Sequence, residues 1–177
     1  MAMTEFPLCL WFTGLPSAGK STIAAALRTR LRQDGRPCYV LDGDVLRTGL
    51  NSDLGFSPAD RDENIRRTAA VAALMVDAGL IVICALISPR AAHRAVARAA
   101  LPAGRFVEIF LDAPAEVCEA RDPKGNYARA RQGTLPGFTG IDGSYERPQA
   151  PDLRLETGKL TVAQSVERIL EVMASRG

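Results

Sequence analysis

The stretch Gly14-Leu15-Pro16-Ser17-Ala18-Gly19-Lys20-Ser21-Thr22 decides the fold of this 177-residue chain. It matches the P-loop pattern G-x-x-x-x-G-K-[ST], in which glycines let the backbone turn tightly and present N–H groups to phosphate oxygens. The lysine neutralises the β- and γ-phosphates of a nucleoside triphosphate, and the hydroxyl after it ligates Mg²⁺. We therefore predict phosphate contacts at Gly14, Ser17, Ala18, Gly19, Lys20, Ser21 and Thr22, with Ser21 also the metal ligand.

The flanks of this stretch have the pattern that the motif requires. The run Leu8-Cys9-Leu10-Trp11-Phe12 is apolar throughout, which predicts a buried strand. After the loop, Ile23, Leu27 and Leu31 recur at the spacing of one helix face. The order is strand, glycine-rich loop, helix, and the start of that helix adds a positive dipole end to the phosphate site.

The remainder of the chain repeats the alternation of strand and helix. Further strands are predicted at 38–41, 80–87, 106–111 and 153–156, and helices at 60–78, from Ser88-Pro89 to about 100, at 114–121 and from 162. Such alternation predicts a three-layer α/β fold of the P-loop kinase type, a mainly parallel sheet with helices on both faces. We expect one domain over residues 1–177, with its ligands at the carboxyl ends of the strands.

Composition and charge exclude several classes of function. The chain is 47% hydrophobic and 24% charged with a net charge of +2, too small to argue for a nucleic-acid partner. Its longest apolar run, Leu80 to Ile87, has strand length, so no membrane span is expected. Met1 to Glu5 lacks the basic and apolar regions of a signal peptide. A cytoplasmic location is expected.

The cysteines and the histidine carry little functional signal. Cys9, Cys38, Cys84 and Cys118 form no C-x-x-C pair, and three of them fall in predicted strands. Buried, reduced thiols are therefore expected rather than disulfides or a metal site. His93, the one histidine, lies on a polar helical stretch, which argues against a histidine-based triad or metal centre.

A second group of motifs brings carboxylates, arginines and aromatic rings to the same edge of the sheet. It extends from Leu41 to Arg67 and includes Asp42-Gly43-Asp44 and Phe56. A carboxylate facing the P-loop can ligate Mg²⁺ or accept a hydroxyl proton, and arginines can grip an anionic group. Phe56 and Phe138 lie in loops beside glycines, where two rings can sandwich a flat base. Each has an ordinary structural reading by itself; together they predict a site for a planar, anionic acceptor.

These motifs resemble those of the adenylylsulfate kinase (APS kinase) family. The likeness is carried by 41–67, Ile87-Ser88-Pro89 and 124–142, and with the P-loop it covers about Leu10 to Leu170. It implies transfer of the γ-phosphate of Mg-ATP to the 3′-hydroxyl of adenylyl sulfate, giving ADP and 3′-phosphoadenylyl sulfate, in sulfate assimilation. The acceptor segment is more specific than the P-loop, which many nucleotide-binding families share.

The resemblance also implies roles for individual residues. Catalytic roles fall to Lys20, Asp44 and Ser88, and ATP contacts beyond the P-loop to Arg121 and Leu160. The adenylyl sulfate contacts are Asp44, Arg47, Phe56, Arg61, Asn64, Ile87, Ser88, Lys124, Gly137 and Phe138. Phe56 and Phe138 flank the adenine of the acceptor, and a mobile lid over about 122–150 carries Lys124 and Gly137.

Direct in-line transfer is expected, because phosphoryl transfer needs alignment and charge neutralisation more than covalent help. Asp44 then orients and deprotonates the 3′-hydroxyl. Ser88 is the family position of a proposed phosphoserine, but no base adjoins it in the sequence, so we expect a substrate contact.

The sequence departs from the family pattern at four places. Pro16-Ser17 replaces the usual Ser-Gly, and Pro16 has no N–H to donate. The others are Val45, Arg90-Ala91-Ala92 and Asn126. These departures affect fine affinity and lid contacts, and they leave every residue with a predicted chemical role in place.

Two other functions stay open at this point. One is a P-loop kinase for a different small hydroxyl compound, and the other is a silent binding partner of ATP sulfurylase, which intact Lys20, Ser21 and Asp44 argue against. A switch GTPase is disfavoured, since no N-K-x-D stretch follows the fourth strand. The resemblance further implies a homodimer and a functional pairing with ATP sulfurylase.

Overall fold

The computed structural model describes residues 6–176, so the prediction for Met1 to Glu5 lies outside the described residues. Five strands form one sheet in the order β2-β3-β1-β4-β5, and all four pairings are parallel. The strands are β1 Cys9–Thr13, β2 Cys38–Asp42, β3 Ile81–Ala85, β4 Phe106–Leu111 and β5 Leu153–Leu155. Because every strand runs the same way, their carboxyl ends share one edge.

Seven helices accompany these strands in the described residues. They are α1 Lys20–Gln33, α2 Gly43–Leu46, α3 Pro58–Asp77, α4 Ala91–Ala100, α5 Ala115–Arg121, α6 Asn126–Arg131 and α7 Val162–Ala174. Ser57 caps α3 by accepting a hydrogen bond from the Asp60 N–H, and Pro58 occupies its first turn. The cap places the start of α3 two residues before the predicted one.

Two separate hydrophobic cores cover the two faces of the sheet. On one face Leu10 and Phe12 pack with α1 and α7, and on the other Cys9 and Trp11 pack with α3 and α4. Alternate residues of β1 therefore supply both cores, which is why this strand is apolar throughout. The three-layer α/β fold predicted from the sequence is confirmed.

Several local predictions were wrong or incomplete. The strand predicted at 80–87 is shorter, since Leu86 to Pro89 leave the sheet at the edge that carries the P-loop. The short helices α2 and α6 were not predicted, because four and six residues are too few to show a helical period. His93 is buried, with its Nε2 2.7 Å from a carboxylate oxygen of Asp62.

The remaining expectations concern thiols and membranes. All four cysteines are buried and free, as expected, including Cys118 on α5. The Sγ atoms of Cys9 and Cys84 lie 3.9 Å apart across neighbouring strands, in a thiol hydrogen bond and not in a disulfide. Within residues 6–176, no helix combines the length and the apolar character needed to cross a membrane.

Candidate active site at the carboxyl edge of the sheet

The P-loop joins β1 to α1, with a backbone that only particular residues fit. Gly14 has φ 156°, and a Cβ there would lie 2.6 Å from the Leu111 carbonyl oxygen. Gly19 precedes α1 at φ 102°, again a conformation suited to glycine. Ser17 has φ 63°, so the departure from the family glycine places a side chain on left-handed backbone.

Lys20 begins α1 and is almost fully buried beneath this loop. Its Nζ donates to the carbonyl oxygens of Gly14 at 2.9 Å and Leu15 at 2.7 Å. Burial lowers the pKa of Lys20 to about 8, although the negative charges of Asp42 and Asp44 act in the opposite direction. The structure thus holds a cation whose desolvation is compensated only in part, ready to pair with an anionic ligand.

Asp42 connects the P-loop to the acceptor motif, a role that the sequence did not assign. It lies at the end of β2, where its Oδ2 accepts from the Ser21 hydroxyl at 2.5 Å. Its Oδ1 accepts from the Asp44 N–H at 2.9 Å and so caps α2. The signal that could have found it is an acidic residue at the carboxyl end of a strand in the same parallel sheet as the P-loop strand.

The residues around Ser21 fit a magnesium ion bound together with nucleotide phosphates. No group of three or more His, Cys, Asp or Glu side chains within 6–176 forms a self-sufficient metal site. Mg²⁺ in phosphoryl-transfer sites uses few protein ligands, commonly one or two carboxylates or hydroxyls, with phosphates and waters supplying the rest. The hydroxyl of Ser21 and the carboxylate of Asp42 are hard oxygen donors of this kind.

Asp44 and Lys124 meet across the mouth of this edge. Lys124 follows α5, at the start of the segment predicted as a lid, and its Nζ forms an ion pair with Asp44 Oδ2. Both side chains are more than half exposed, so the pair is held weakly and exchanges readily with solvent or ligand. The structure brings together two predicted acceptor contacts that are 80 residues apart in the chain.

Arg47 shapes the loop that carries Phe56. Its guanidinium donates to the carbonyl oxygens of Leu54 at 3.2 Å and Gly55 at 2.9 Å. The same group lies 4.2 Å from the centre of the Phe56 ring, while 67% of Phe56 is exposed. Partial burial, followed by the charge of Arg61, lowers the pKa of Arg47. Phe56 thus has one face supported by a cation and much of its surface in solvent.

Arg61 ties the two aromatic loops to each other. It donates to the Phe56 carbonyl oxygen at 3.0 Å, to the Gly137 carbonyl oxygen at 2.8 Å and to the Thr139 hydroxyl at 3.2 Å. Asp142 closes the second loop by accepting from the N–H groups of Gly137 and Phe138, and the first of these bonds lowers the pKa of Asp142. One guanidinium is therefore hydrogen-bonded to both loops.

Phe138 is less exposed than a purely ligand-facing ring. It is half-buried against the core, and its ring centre lies 4.9 Å from that of Tyr127 at 82°, an edge-to-face contact. Phe138 therefore packs against the core in addition to lying in a loop beside a glycine. The two aromatic residues differ accordingly, since Phe56 lacks comparable packing.

Asn64 lies on the first half of α3, with its amide already oriented. Its Oδ1 accepts from the Nδ2 of the buried Asn51 at 2.7 Å, and its main-chain oxygen accepts from Thr68. With the oxygen engaged, the Nδ2 of Asn64 is the group left to contact a ligand. Arg66 and Arg67, also noted in the motif, instead pair with Glu63 on the same helix.

Ile87 and Ser88 lie where the chain leaves β3, beside the P-loop. The Ile87 carbonyl oxygen accepts from Thr13 Oγ1 at 2.6 Å. Ser88 is 2% exposed at φ 46°, and its Oγ accepts from the Trp11 indole N–H at 2.9 Å. In the described part of the chain, no carboxylate or imidazole hydrogen-bonds this hydroxyl, so nothing there activates it as a nucleophile.

Arg121 and Leu160 lie on the other flank of the P-loop. Arg121 donates to the carbonyl oxygens of Thr157 at 2.7 Å and Ser17 at 3.4 Å. Leu160 borders a shallow cavity of about 220 Å³ together with Arg154, Glu156 and Arg168. The predicted ATP contacts therefore fall on the β5 side of the loop, while the predicted acceptor contacts fall on the β2 and β3 side.

A P-loop that opens a helix at the edge of a parallel sheet and is faced by carboxylates, in a fold that superposes on kinases, defines a P-loop kinase. The model of the adenylylsulphate kinase family matches residues 6–156. The chain belongs to that family.

Relatives and solved structures agree with this assignment. The adenylyl-sulfate kinases of Vibrio parahaemolyticus and Paraburkholderia xenovorans are each 54% identical, over 96% and 95% of this chain and 83% and 93% of their own. The bifunctional enzyme NodQ of Azospirillum brasilense is 53% identical over 97% of this chain, which spans 28% of NodQ. The Mycobacterium tuberculosis APS kinase CysC, solved in complex with AMPPNP and APS, superposes with a TM-score of 0.92 at 45% identity, covering 96% of this chain and 99% of CysC.

Proposed function

We propose that the chain transfers the γ-phosphate of Mg-ATP to the 3′-hydroxyl of adenylyl sulfate, giving ADP and 3′-phosphoadenylyl sulfate for sulfate assimilation. The observation that carries the proposal is the Asp42 carboxylate, which joins the Ser21 hydroxyl of the P-loop to the main chain of Asp44. The two hydrogen bonds of Asp42 thereby connect the donor motif and the acceptor motif at one edge of the sheet. The likeness to kinases of adenylyl sulfate, one solved with AMPPNP and APS, supports the choice of substrates.

On the donor side, the P-loop amides and Lys20 hold the β- and γ-phosphates. Lys20 leaves the carbonyl oxygens of Gly14 and Leu15 for phosphate oxygens, exchanging neutral partners for charged ones. Ser21 and Asp42 would hold Mg²⁺, which would neutralise phosphate charge and orient the transferred group. Arg121 and Leu160 contact the remainder of ATP.

On the acceptor side, Asp44 accepts the hydrogen bond of the 3′-hydroxyl and takes its proton as the new bond to phosphorus forms. Binding of adenylyl sulfate replaces the ion pair between Asp44 and Lys124, and Lys124 then turns to the anionic groups of the two nucleotides. Phe56 and Phe138 enclose the adenine, while Arg47, Arg61 and Asn64 hold the acceptor in line with the γ-phosphate. Transfer is direct, and Ser88, with Ile87, contacts the acceptor.

The segment 122–150 acts as a lid that excludes water, the competing acceptor. The four buried thiols fit a reducing, cytoplasmic setting.

We further propose a homodimer and functional pairing with ATP sulfurylase. Light scattering on a size-exclusion column gives the particle mass, and either one or six chains per particle contradicts the dimer. A hexamer is named for the APS kinase of Thiobacillus denitrificans, which is 34% identical with a TM-score of 0.73 and of which this chain covers 30%.

The proposal is tested by a coupled assay for ADP with Mg-ATP and one acceptor at a time. The acceptors are adenylyl sulfate, adenosine monophosphate, gluconate and shikimate. We expect turnover with adenylyl sulfate and inhibition when its concentration is high. Turnover with another acceptor alone contradicts the substrate, and binding of both nucleotides without any turnover shows a silent binding protein.

A further inference from the structure

Three side chains from outside the P-loop hold three successive carbonyl oxygens of it. The Tyr127 hydroxyl donates to Pro16 at 2.9 Å, Arg121 donates to Ser17 at 3.4 Å, and the Thr157 hydroxyl donates to Ala18 at 2.8 Å. The donors come from α6, from the end of α5 and from the turn after β5, so three separate parts of the chain converge on one strip of backbone.

These contacts set the direction of the amide groups on the opposite side. In a trans peptide the C=O and N–H bonds point in opposite directions, and the structure contains no cis peptide bond within residues 6–176. Holding the Pro16 and Ala18 oxygens therefore turns the N–H groups of Ser17 and Gly19 away from Tyr127 and Thr157. The Ala18 N–H donates to the Leu15 oxygen inside the loop, so of the amides of Ser17, Ala18 and Gly19 the first and the last are left for a phosphate.

The sequence of this loop makes such an external hold valuable. Pro16 has no N–H, so the loop has one donor fewer than the motif allows. Ser17 occupies left-handed backbone at φ 63°, which a non-glycine residue keeps only when its surroundings impose it. The hydrogen bond from Tyr127 falls on the peptide unit between these two residues.

Tyr127 reaches the acceptor side as well. It is 1% exposed, and its ring meets the Phe138 ring edge-to-face at 4.9 Å. The surrounding chain is close, since a Cβ on Gly140 would lie 3.5 Å from the Tyr127 hydroxyl oxygen. One side chain thus contacts the phosphate loop through its hydroxyl and the proposed adenine wall through its ring.

We propose that Tyr127 and Thr157 are positioning residues for ATP, acting through the P-loop carbonyls, and that the ring of Tyr127 separately positions Phe138 for the acceptor. This inference rests on the proposed function for its acceptor half. The donor half depends only on ATP binding, which is measured without turnover.

The test separates the hydroxyl of Tyr127 from its ring. We measure binding of AMPPNP and of adenylyl sulfate by calorimetry for Tyr127→Phe, Tyr127→Leu and Thr157→Val. Tyr127→Phe and Thr157→Val each remove one neutral hydrogen bond, so we expect each to weaken AMPPNP binding about threefold to tenfold. Adenylyl sulfate binds these two variants as it binds the wild type, whereas Tyr127→Leu weakens both ligands.

A matched control removes a hydroxyl with the same kind of partner away from the loop. Ser165 is fully buried and donates to the Thr161 carbonyl oxygen at 2.9 Å, so Ser165→Ala lowers the melting temperature without altering either affinity. If Tyr127→Phe loses stability like this control but binds AMPPNP normally, Tyr127 only packs and the inference fails. If the wild type binds AMPPNP but never phosphorylates adenylyl sulfate, the proposed function fails while the AMPPNP results still judge the donor half.

Discussion

The phosphate loop and the aromatic loops both bind parts of nucleotides in our proposal, but the protein holds them in different ways. Residues 14–20 are buried or half-buried, and side chains from three other parts of the chain donate hydrogen bonds to their carbonyl oxygens. Residues 52–58 are mostly exposed and are held by arginines bonded to main-chain oxygens. The donor loop is held by the surrounding fold, whereas the exposed Phe56 loop is held by a few hydrogen bonds from arginines.

The difference has a physical origin in what each loop recognises. Phosphates are bound by backbone N–H groups, which bind only when they point into the site. The orientation of these peptide groups must therefore be fixed before the ligand arrives. A flat base is bound by aromatic surface, which can close over it from either side. Substitutions in the acceptor region should accordingly change adenylyl sulfate affinity or transfer without disturbing ATP.

The largest effect is expected from Asp44→Ala. Removing the carboxylate that accepts the hydroxyl proton lowers kcat about 10²-fold to 10⁴-fold. ATP binding stays measurable, because Asp44 lies on the acceptor side and contacts Lys124 rather than the P-loop. Single-turnover kinetics with a calorimetric titration of ATP check both statements. Full turnover by this variant removes Asp44 from the mechanism.

The next effect concerns the tie between the two aromatic loops. Arg61→Ala removes three hydrogen bonds from a charged donor, so KM for adenylyl sulfate rises about tenfold to 100-fold. Affinity for ATP is unchanged. Arg66→Ala is the control, since within residues 6–176 Arg66 pairs only with Glu63, on the exposed face of α3. Equal effects of the two substitutions would show that Arg61 acts merely through the helix.

A pH titration probes the buried lysine of the donor loop. The pKa of Lys20 is lowered to about 8, so above pH 8 its ammonium loses its proton and ATP binding weakens by up to about tenfold per pH unit. Calorimetry in buffers of different ionisation enthalpy should detect proton uptake on binding near pH 8.5. Lys20→Met should show neither the slope nor the uptake.

The lowered pKa of Lys20 also makes the free energy of unfolding of the unliganded protein depend on pH. Its unfolded pKa of 10.5 exceeds the folded value of about 8, so the unfolded state holds more protons in this interval. The contribution of Lys20 to the free energy of unfolding therefore rises with pH from about 8 to 10.5. Urea titrations of the wild type and Lys20→Met across this range compare the two slopes.

The smallest effect is expected at Ser17. Ser17→Gly relieves a left-handed backbone conformation and raises the free energy of unfolding by about 1 kcal/mol or less, because glycine also gains freedom when unfolded. Urea titration measures it. Thr134→Gly serves as a control on an exposed residue for which the structure gives no left-handed backbone, and it should lower stability. A destabilised Ser17→Gly would show that the serine is not strained.

The sheet and its flanking helices were predictable because their signals are local. Strands β1 and β3 are largely runs of apolar residues, and helix α3 begins at Pro58 directly after its cap Ser57. The end of β3 was harder, since Leu86 and Ile87 are apolar yet leave the sheet to form the edge of the site. Apolar residues indicate that a segment is buried, as these two residues partly are. They do not indicate whether its backbone hydrogen-bonds to a neighbouring strand.

The candidate site was predictable in its residue types but not in its connections. Ser21 is named by the motif, whereas its partner Asp42 is 21 residues away and is recognised only when β2 lies in the same sheet. Tyr127 and Thr157 gave no signal, because a hydroxyl that holds a carbonyl has no sequence pattern of its own. The partial burial of Phe138 gave no signal in the sequence, because its contact with Tyr127 is tertiary.

By itself the sequence determined the parallel α/β architecture, the phosphate loop and the motifs of the adenylylsulfate kinase family, since periodicity and short-range backbone chemistry are written along the chain. Only the tertiary structure decided which side chains hold the P-loop carbonyls, where Lys124 meets Asp44 and how Arg61 spans two loops. The long-range contacts among these join residues separated by 76 to 139 positions. Their geometry follows from packing of the whole sheet edge, which no local pattern encodes.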